Sequence, residues 1–212
     1  MRSPTTAASD PHSFNADSYS LLERRVLGPV RELSGRYFFR PLVLVLARVG
    51  VSPNGVSALQ IPLGLIFVWT VGPYPRLAFL LMIAAIFLDG LDGALARHSG
   101  RASAFGALWD QFCDHLREIL VVAGLAWAGA ASGLWATLYA FTYPTFNLTL
   151  ALANRYDTPL PWAIKSYLTL YPFIFLYLWW GIDWLNVGLI LSILAMGLAI
   201  AQGLYRLRRV MQ

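Results

Sequence analysis

Six long apolar runs fill most of this chain, at approximately 54–72, 75–96, 105–129, 132–154, 161–181 and 184–206. Short breaks rich in glycine, proline or aspartate separate them: GPYP, HSGR, GAASG, DTPLP and GID. Each run is close to the roughly 20 residues that an α-helix needs to cross a hydrocarbon core. Ahead of them the pattern changes. Between residues 19 and 49, Leu21, Leu22, Val26, Val30 and Leu33 recur at helical spacing, while Glu23, Arg24, Arg31 and Glu32 fall largely elsewhere. This predicts an amphipathic helix on a membrane surface, broken or bent near Gly28–Pro29. Ser52-Pro53-Asn54 reads as the start of the first apolar helix. Residues 1–18 are polar and predict a disordered cytosolic tail. The expected architecture is an all-α integral membrane protein: a tail (1–18), an amphipathic juxtamembrane helix region (19–49) and a domain of six transmembrane helices (50–212).

Composition supports the pattern. The 212 residues are 58% hydrophobic and 13% charged, with mean hydropathy +0.57, against about 25% charged in soluble domains. The net charge of +5 points in this apolar setting to anionic lipid headgroups, not nucleic acid. Cys113 is the single cysteine and reads as a small buried apolar residue. With the N-terminus cytosolic, that side receives 14 of the 16 basic residues. Arg76 falls on the opposite side and Arg117 within the third run. Such asymmetry predicts cytosolic termini; arginine- and alanine-rich usage with a single lysine, Lys165, points to a bacterium and so to its inner membrane.

Against this background four aspartates stand out. Asp89 and Asp92 lie near the end of the second run, three residues apart; Asp110 and Asp114 lie near the start of the third, four apart. Each pair shares a helix face, and the short loop between the runs lets the two faces meet at the cytosolic side. A carboxylate deep in a bilayer costs roughly 2.5–3.5 kcal/mol on insertion scales. Four in one pocket therefore call for cations. Hard oxygen ligands suit Mg²⁺ or Mn²⁺, and four negative charges balance two such ions. Gly93 and Gly106 share faces with the aspartates and leave room for a ligand. Arg97 is placed to pair with phosphate oxygens. Metals beside an arginine suggest a diphosphate substrate.

The run D-x2-D-G-x2-A-R-x8-G-x3-D-x3-D, here Asp89, Asp92, Gly93, Ala96, Arg97, Gly106, Asp110 and Asp114, resembles the signature of the CDP-alcohol phosphotransferases at every fixed position. The six-run layout with a preceding surface helix is also similar to that family. The resemblance implies transfer of a substituted phosphate from a CDP-alcohol, such as CDP-diacylglycerol, to an acceptor hydroxyl, releasing CMP. It implies Asp89, Asp92 and Asp110 as core metal ligands. Asp114 becomes the general base and a further contact to metal. Gly93, Ala96, Arg97 and Gly106 then bind nucleotide and diphosphate, with Asn54 approaching the nucleotide, and the protein is expected to be a homodimer.

Arg155 and Lys165, around the loop between the fourth and fifth runs, are candidates for an anionic acceptor such as glycerol 3-phosphate or inositol phosphate. The positive-inside bias accounts for them equally well. Two other functions use buried aspartates. A cation transporter needs acids spread along a route across the membrane, whereas these four converge at one face. An aspartate-rich prenyltransferase also binds Mg²⁺ and diphosphates, generally in a longer chain with two separated motifs.

Overall fold

The computed structural model describes residues 18–33 and 37–212. The expected tail, apart from Ser18, lies outside the described residues, as does Arg36. Among the described residues every regular element is helical. The order is α1 (Leu21–Leu33), α2 (Arg40–Arg48), α3 (Pro53–Ala58), α4 (Gln60–Thr70), α5 (Pro75–His98), α6 (Ala104–Trp127), α7 (Gly133–Arg155), α8 (Ser166–Thr169), α9 (Tyr171–Trp180) and α10 (Leu185–Met211).

The start of α1 is capped reciprocally. The Ser20 backbone N–H donates to Glu23 Oε2 at 3.0 Å, and the Glu23 N–H returns to Ser20 Oγ at 3.3 Å. This is a capping box, which satisfies donors that a helix start leaves orphaned. The next two N–H groups, on Leu21 and Leu22, donate to the carbonyls of Leu160 and Pro161. The amphipathic segment is thus anchored to the loop after α7. The bend expected at Gly28–Pro29 does not interrupt it, because α1 runs through Pro29.

Two of the expected apolar helices are broken, and proline explains both breaks. The first run divides at Leu59 into α3 and α4. Pro62 has no N–H to give the Ala58 carbonyl, so the helical ladder loses a rung there. In the fifth run, 161–165 is irregular and the helix divides at Leu170. Pro172 likewise leaves the Leu168 carbonyl without its donor. The other expected spans end within about five residues of the helices observed.

By length and apolarity, α5 and α10 qualify to cross a membrane, and α2 with α3–α4 qualifies only as a pair bent by 109°. The long helix α6 is set apart by its charge: it carries Asp110, Asp114, Arg117 and Glu118.

The aspartate helices α5 and α6 are not simply a hairpin packed face to face. They touch sparingly, and α3 and α4 pack against both. Small residues permit this close approach. A methyl group on Gly124 of α6 would lie 3.0 Å from the Val68 Cα of α4, and one on Gly64 of α4 would lie 3.0 Å from Leu120. Where lipid offers no hydrophobic driving force between helices, such close contact is what holds them together. The main core joins Phe67, Val121, Leu125, Tyr139, Phe146, Leu150, Ile174, Leu189 and Met196 across α4, α6, α7, α9 and α10. A smaller cluster of Val43, Val56, Leu91, Ala94 and Leu95 packs α2 and α3 on the end of α5. Gly90 belongs to that packing: a methyl there would meet the Phe39 ring at 2.8 Å.

Candidate functional site

Two helix starts define the mouth of the site. Ser52 Oγ accepts the Gly55 N–H at 3.1 Å to begin α3, and Ser103 Oγ accepts the Gly106 N–H at 3.0 Å to begin α6. Trp109 Nε1 donates to the Asn54 carbonyl at 3.0 Å, which ties the two starts together. Between them and the last turns of α5 lies a cavity of about 170 Å³. Its walls include Asn54, Ser57, Asp92, Gly93, Ala96, Arg97, Arg101, Ser103, Gly106 and Asp110. All five residues expected to bind nucleotide and diphosphate therefore face one space.

The glycines keep that space open. A methyl on Gly106 would come to 3.1 Å from Ser103 Oγ and 3.3 Å from Asn54 Oδ1, and one on Gly93 to 3.3 Å from Arg97 Nη1. Gly93 thus makes room first for the arginine guanidinium, which folds back along its own helix.

The four aspartates divide. Asp89, Asp110 and Asp114 each present a carboxylate oxygen, all within 4.8 Å of one another. Asp92 lies outside that triad, buried, and lines the cavity with Asp110. Both Asp92 oxygens and Asp110 Oδ1 are buried without a hydrogen-bond partner. Buried carboxylate oxygens are normally paired. Oxygens crowded with like charge and lacking donors fit a site made for hard divalent cations. The donor set therefore fits a divalent metal, with the triad as its core.

Deeper in α6 a second polar layer begins. Arg117 Nη1 donates to Asp114 Oδ1 at 3.0 Å and to Gln60 Oε1 at 2.5 Å. Glu118 does not pair with Arg117. Its two oxygens accept the hydroxyls of Tyr139 and Tyr171 at 2.5 and 2.6 Å. His115 rests edge-on against Tyr143, ring centres 5.3 Å apart. Ser57 and Gln60 were missed. Their signal was present, since they follow Asn54 at three and six residues as polar positions inside an apolar run.

The two acceptor candidates part company. Arg155 ends α7 and is exposed. Lys165 lies 3.6 Å from Glu23 Oε1 and 3.9 Å from the centre of the Tyr19 ring.

A model of the CDP-alcohol phosphatidyltransferase family matches residues 50–203. The chain belongs to that family. Over 97 residues it is 36% identical to the phosphatidylinositol phosphate synthase of Mycolicibacterium smegmatis, covering 45% of this chain and 43% of that one. Over 85 residues it is 33% identical to the archaetidylinositol phosphate synthase of Pyrococcus horikoshii, covering 40% and 45%. The chain thus spans less than half the length of either of these two curated relatives. The crystal structure of Mycobacterium tuberculosis phosphatidylinositol phosphate synthase with CDP-DAG bound superposes with a TM-score of 0.65 at 22% identity. That match covers 79% of this chain and 92% of the other. The same enzyme with manganese and citrate superposes equally well, covering 79% and 88%. At this identity the likeness establishes a shared fold.

Proposed function

We propose that this protein transfers a phosphatidyl group from CDP-diacylglycerol to a hydroxyl of inositol phosphate, releasing CMP. One observation carries the reading. Six of the eight motif residues, drawn from two helices, line a single cavity, and one of them, Asp110, also belongs to the three-carboxylate cluster with the other two, Asp89 and Asp114. Family membership and the names of its relatives support the reaction class and the acceptor.

In this reading the diphosphate lies against Arg97 and the positive N-terminal end of α6, both suited to anionic oxygens. The cytidine takes the room left by Gly93, Ala96 and Gly106, beside Asn54. Asp89, Asp110 and Asp114, with Asp92 beside them, would hold two divalent cations, Mg²⁺ or Mn²⁺. When bound, such ions neutralise charge developing on the diphosphate. Asp114 accepts the acceptor's hydroxyl proton. The acceptor oxygen bonds to the phosphorus carrying the diacylglycerol, and the bond from that phosphorus to CMP breaks. General-base help of this kind is worth roughly 10²–10⁴-fold. Arg155, exposed at the end of α7, is the cation offered to the acceptor phosphate.

The proposal includes six spans with α1 as a juxtamembrane helix, termini in the cytosol of a bacterial inner membrane, and a homodimer. The apolar outer surface lets lipid tails reach the site sideways from the bilayer.

The test is CMP release by purified protein with CDP-diacylglycerol, Mn²⁺ or Mg²⁺, and either inositol phosphate or glycerol 3-phosphate. Release with inositol phosphate alone is expected. Release with glycerol 3-phosphate alone overturns the acceptor and keeps the reaction. Asp114→Asn is expected to abolish turnover while CDP-lipid binding survives, and near-normal CMP release would refute its role as base.

A further inference from the structure

Arg117 is an expensive residue where it stands. It is buried, with a side chain 7% exposed, on a helix whose outer face leaves Phe105, Leu108 and Phe112 exposed. Its charge is not spent on its neighbour Glu118, whose carboxylate is taken by two tyrosine hydroxyls. One of its terminal nitrogens instead bridges Asp114 Oδ1, one turn earlier on α6, and Gln60 Oε1 on α4. The fold brings Gln60 into reach deliberately close: Gly64, one turn further along α4, would carry its methyl 3.6 Å from the Arg117 Cα. Gln60 is fully buried, and its Nε2 has no partner. Since Arg117 occupies its oxygen, that amide has no reason to be buried here except to hold the guanidinium.

The same stripe on α3–α4 runs down the site. Asn54 borders the cavity mouth and Ser57 the cavity beside Asp92 and Asp110. Gln60 reaches the Arg117 end of Asp114. A carboxylate grouped this closely with two others has every electrostatic reason to turn away from them. A buried guanidinium held from behind fixes one of its oxygens.

We infer that Arg117, braced by Gln60, is the positioning residue for Asp114, holding that carboxylate in the orientation from which it takes the acceptor proton. This rests on the phosphatidyl transfer proposed above. Arg117 does not touch the reacting atoms and acts only through Asp114.

The experiment compares Arg117→Met, Arg117→Lys, Gln60→Met and the double variant Gln60→Met/Arg117→Met in steady-state CMP release. Misplacing a reacting group by about 1 Å costs on the order of 100-fold. Arg117→Met is therefore expected to lower kcat by about 100-fold, with KM for CDP-diacylglycerol changed less than about twofold. Arg117→Lys restores only part, since a point charge lacks the planar fork. Gln60→Met is expected to lower kcat by about 10-fold with KM for CDP-diacylglycerol changed less than about twofold; because it also leaves a buried Arg117 N–H without its acceptor, its thermal stability should fall rather than rise. A loss confined to kcat per folded molecule is not produced by a packing role. The double variant should be no slower than Arg117→Met, because Gln60 acts through Arg117. Turnover of Arg117→Met within about threefold of the wild type, or losses that multiply in the double variant, overturn the proposal. If Arg117→Met does not fold, Gln60→Met decides, and an unchanged kcat overturns the proposal. A wild-type protein that binds Mn²⁺ but releases no CMP refutes the proposed reaction instead. The electron paramagnetic resonance of bound Mn²⁺ then decides on Arg117. A signal altered in Gln60→Met supports the positioning, and an identical signal overturns it.

Discussion

Glu23, at the N-terminal corner, is a saturated carboxylate. It accepts the Ser20 N–H and hydroxyl, accepts the Tyr167 hydroxyl at 2.9 Å, and pairs with Lys165. Asp92, in the aspartate pocket, is equally buried, and neither of its oxygens has a partner. Both corners are made of acids, hydroxyls and a basic side chain under apolar cover. In one the polar groups close on each other and fasten α1 to the loop between α7 and α8. In the other they are left with capacity, which costs stability and is tolerated where a ligand supplies the missing partners. Glu118 belongs with Glu23 in this respect, since both its oxygens are used to join α6 with α7 and α9.

The largest expected effect breaks this contrast on the open side. Asp110→Asn removes a member of the three-carboxylate cluster that also has an unpartnered buried oxygen. Outer-shell partners of metal ligands are worth about 10–100-fold, so a direct ligand should cost more than about 100-fold in turnover. Without metal the same variant should be at least as thermally stable as the wild type, because a repelling charge has gone. Mn²⁺ should raise the melting temperature of the wild type by mass action and leave Asp110→Asn unmoved. EDTA should reverse the wild-type shift. A variant that melts lower without metal would mean that Asp110 is architectural after all.

Much of the open side was legible in the sequence, because its geometry is local. Asp89 and Asp92, or Asp110 and Asp114, share a face by covalent spacing alone, and Gly93, Arg97 and Gly106 follow from the same helical arithmetic. The closed pairs were not legible. Gln60 and Arg117 are 57 residues apart, Glu118 and Tyr171 are 53, and Tyr167 and Glu23 are 144. Spacing says nothing about pairs at that separation. The break between α3 and α4 could have been read from Pro62, but an unbroken apolar run concealed it, since hydropathy does not register a missing N–H. The aspartate faces of α5 and α6 meet as expected at Asp89, Asp110 and Asp114. What spacing did not show is that α4 packs against both helices over the rest of their length, which Gly64 and Gly124 permit against α6.

A middle-sized effect is expected where the closed kind of pairing lies nearest the site. Tyr171→Phe removes one of the two hydroxyls on Glu118 and leaves a buried carboxylate oxygen without a donor. That should cost roughly 1–3 kcal/mol of stability, measured by thermal melting in detergent. Turnover per folded molecule should change by less than about threefold, because Glu118 makes no contact with Asp114 through Arg117. A large loss of kcat with unchanged melting would move Glu118 into the reactive side of the comparison.

The smallest effect sharpens the contrast at the N-terminal corner. Lys165 was a candidate for the acceptor, yet it is enclosed by Glu23 and Tyr19. If the pairing there is architectural, Lys165→Met and Glu23→Gln break the same contact from either side. Both should lower stability by about 1 kcal/mol and leave KM for inositol phosphate unchanged. Arg155→Ala, at the exposed end of α7, should instead raise that KM without a stability cost. The two corner variants carry the discrimination, because an acceptor role gives them opposite signs. Removing Lys165 would then weaken acceptor binding, and neutralising Glu23 would release the ammonium and strengthen it. Parallel small losses of stability with a flat KM place Lys165 with the fastenings of the fold, whereas opposed shifts in KM place it in the acceptor site.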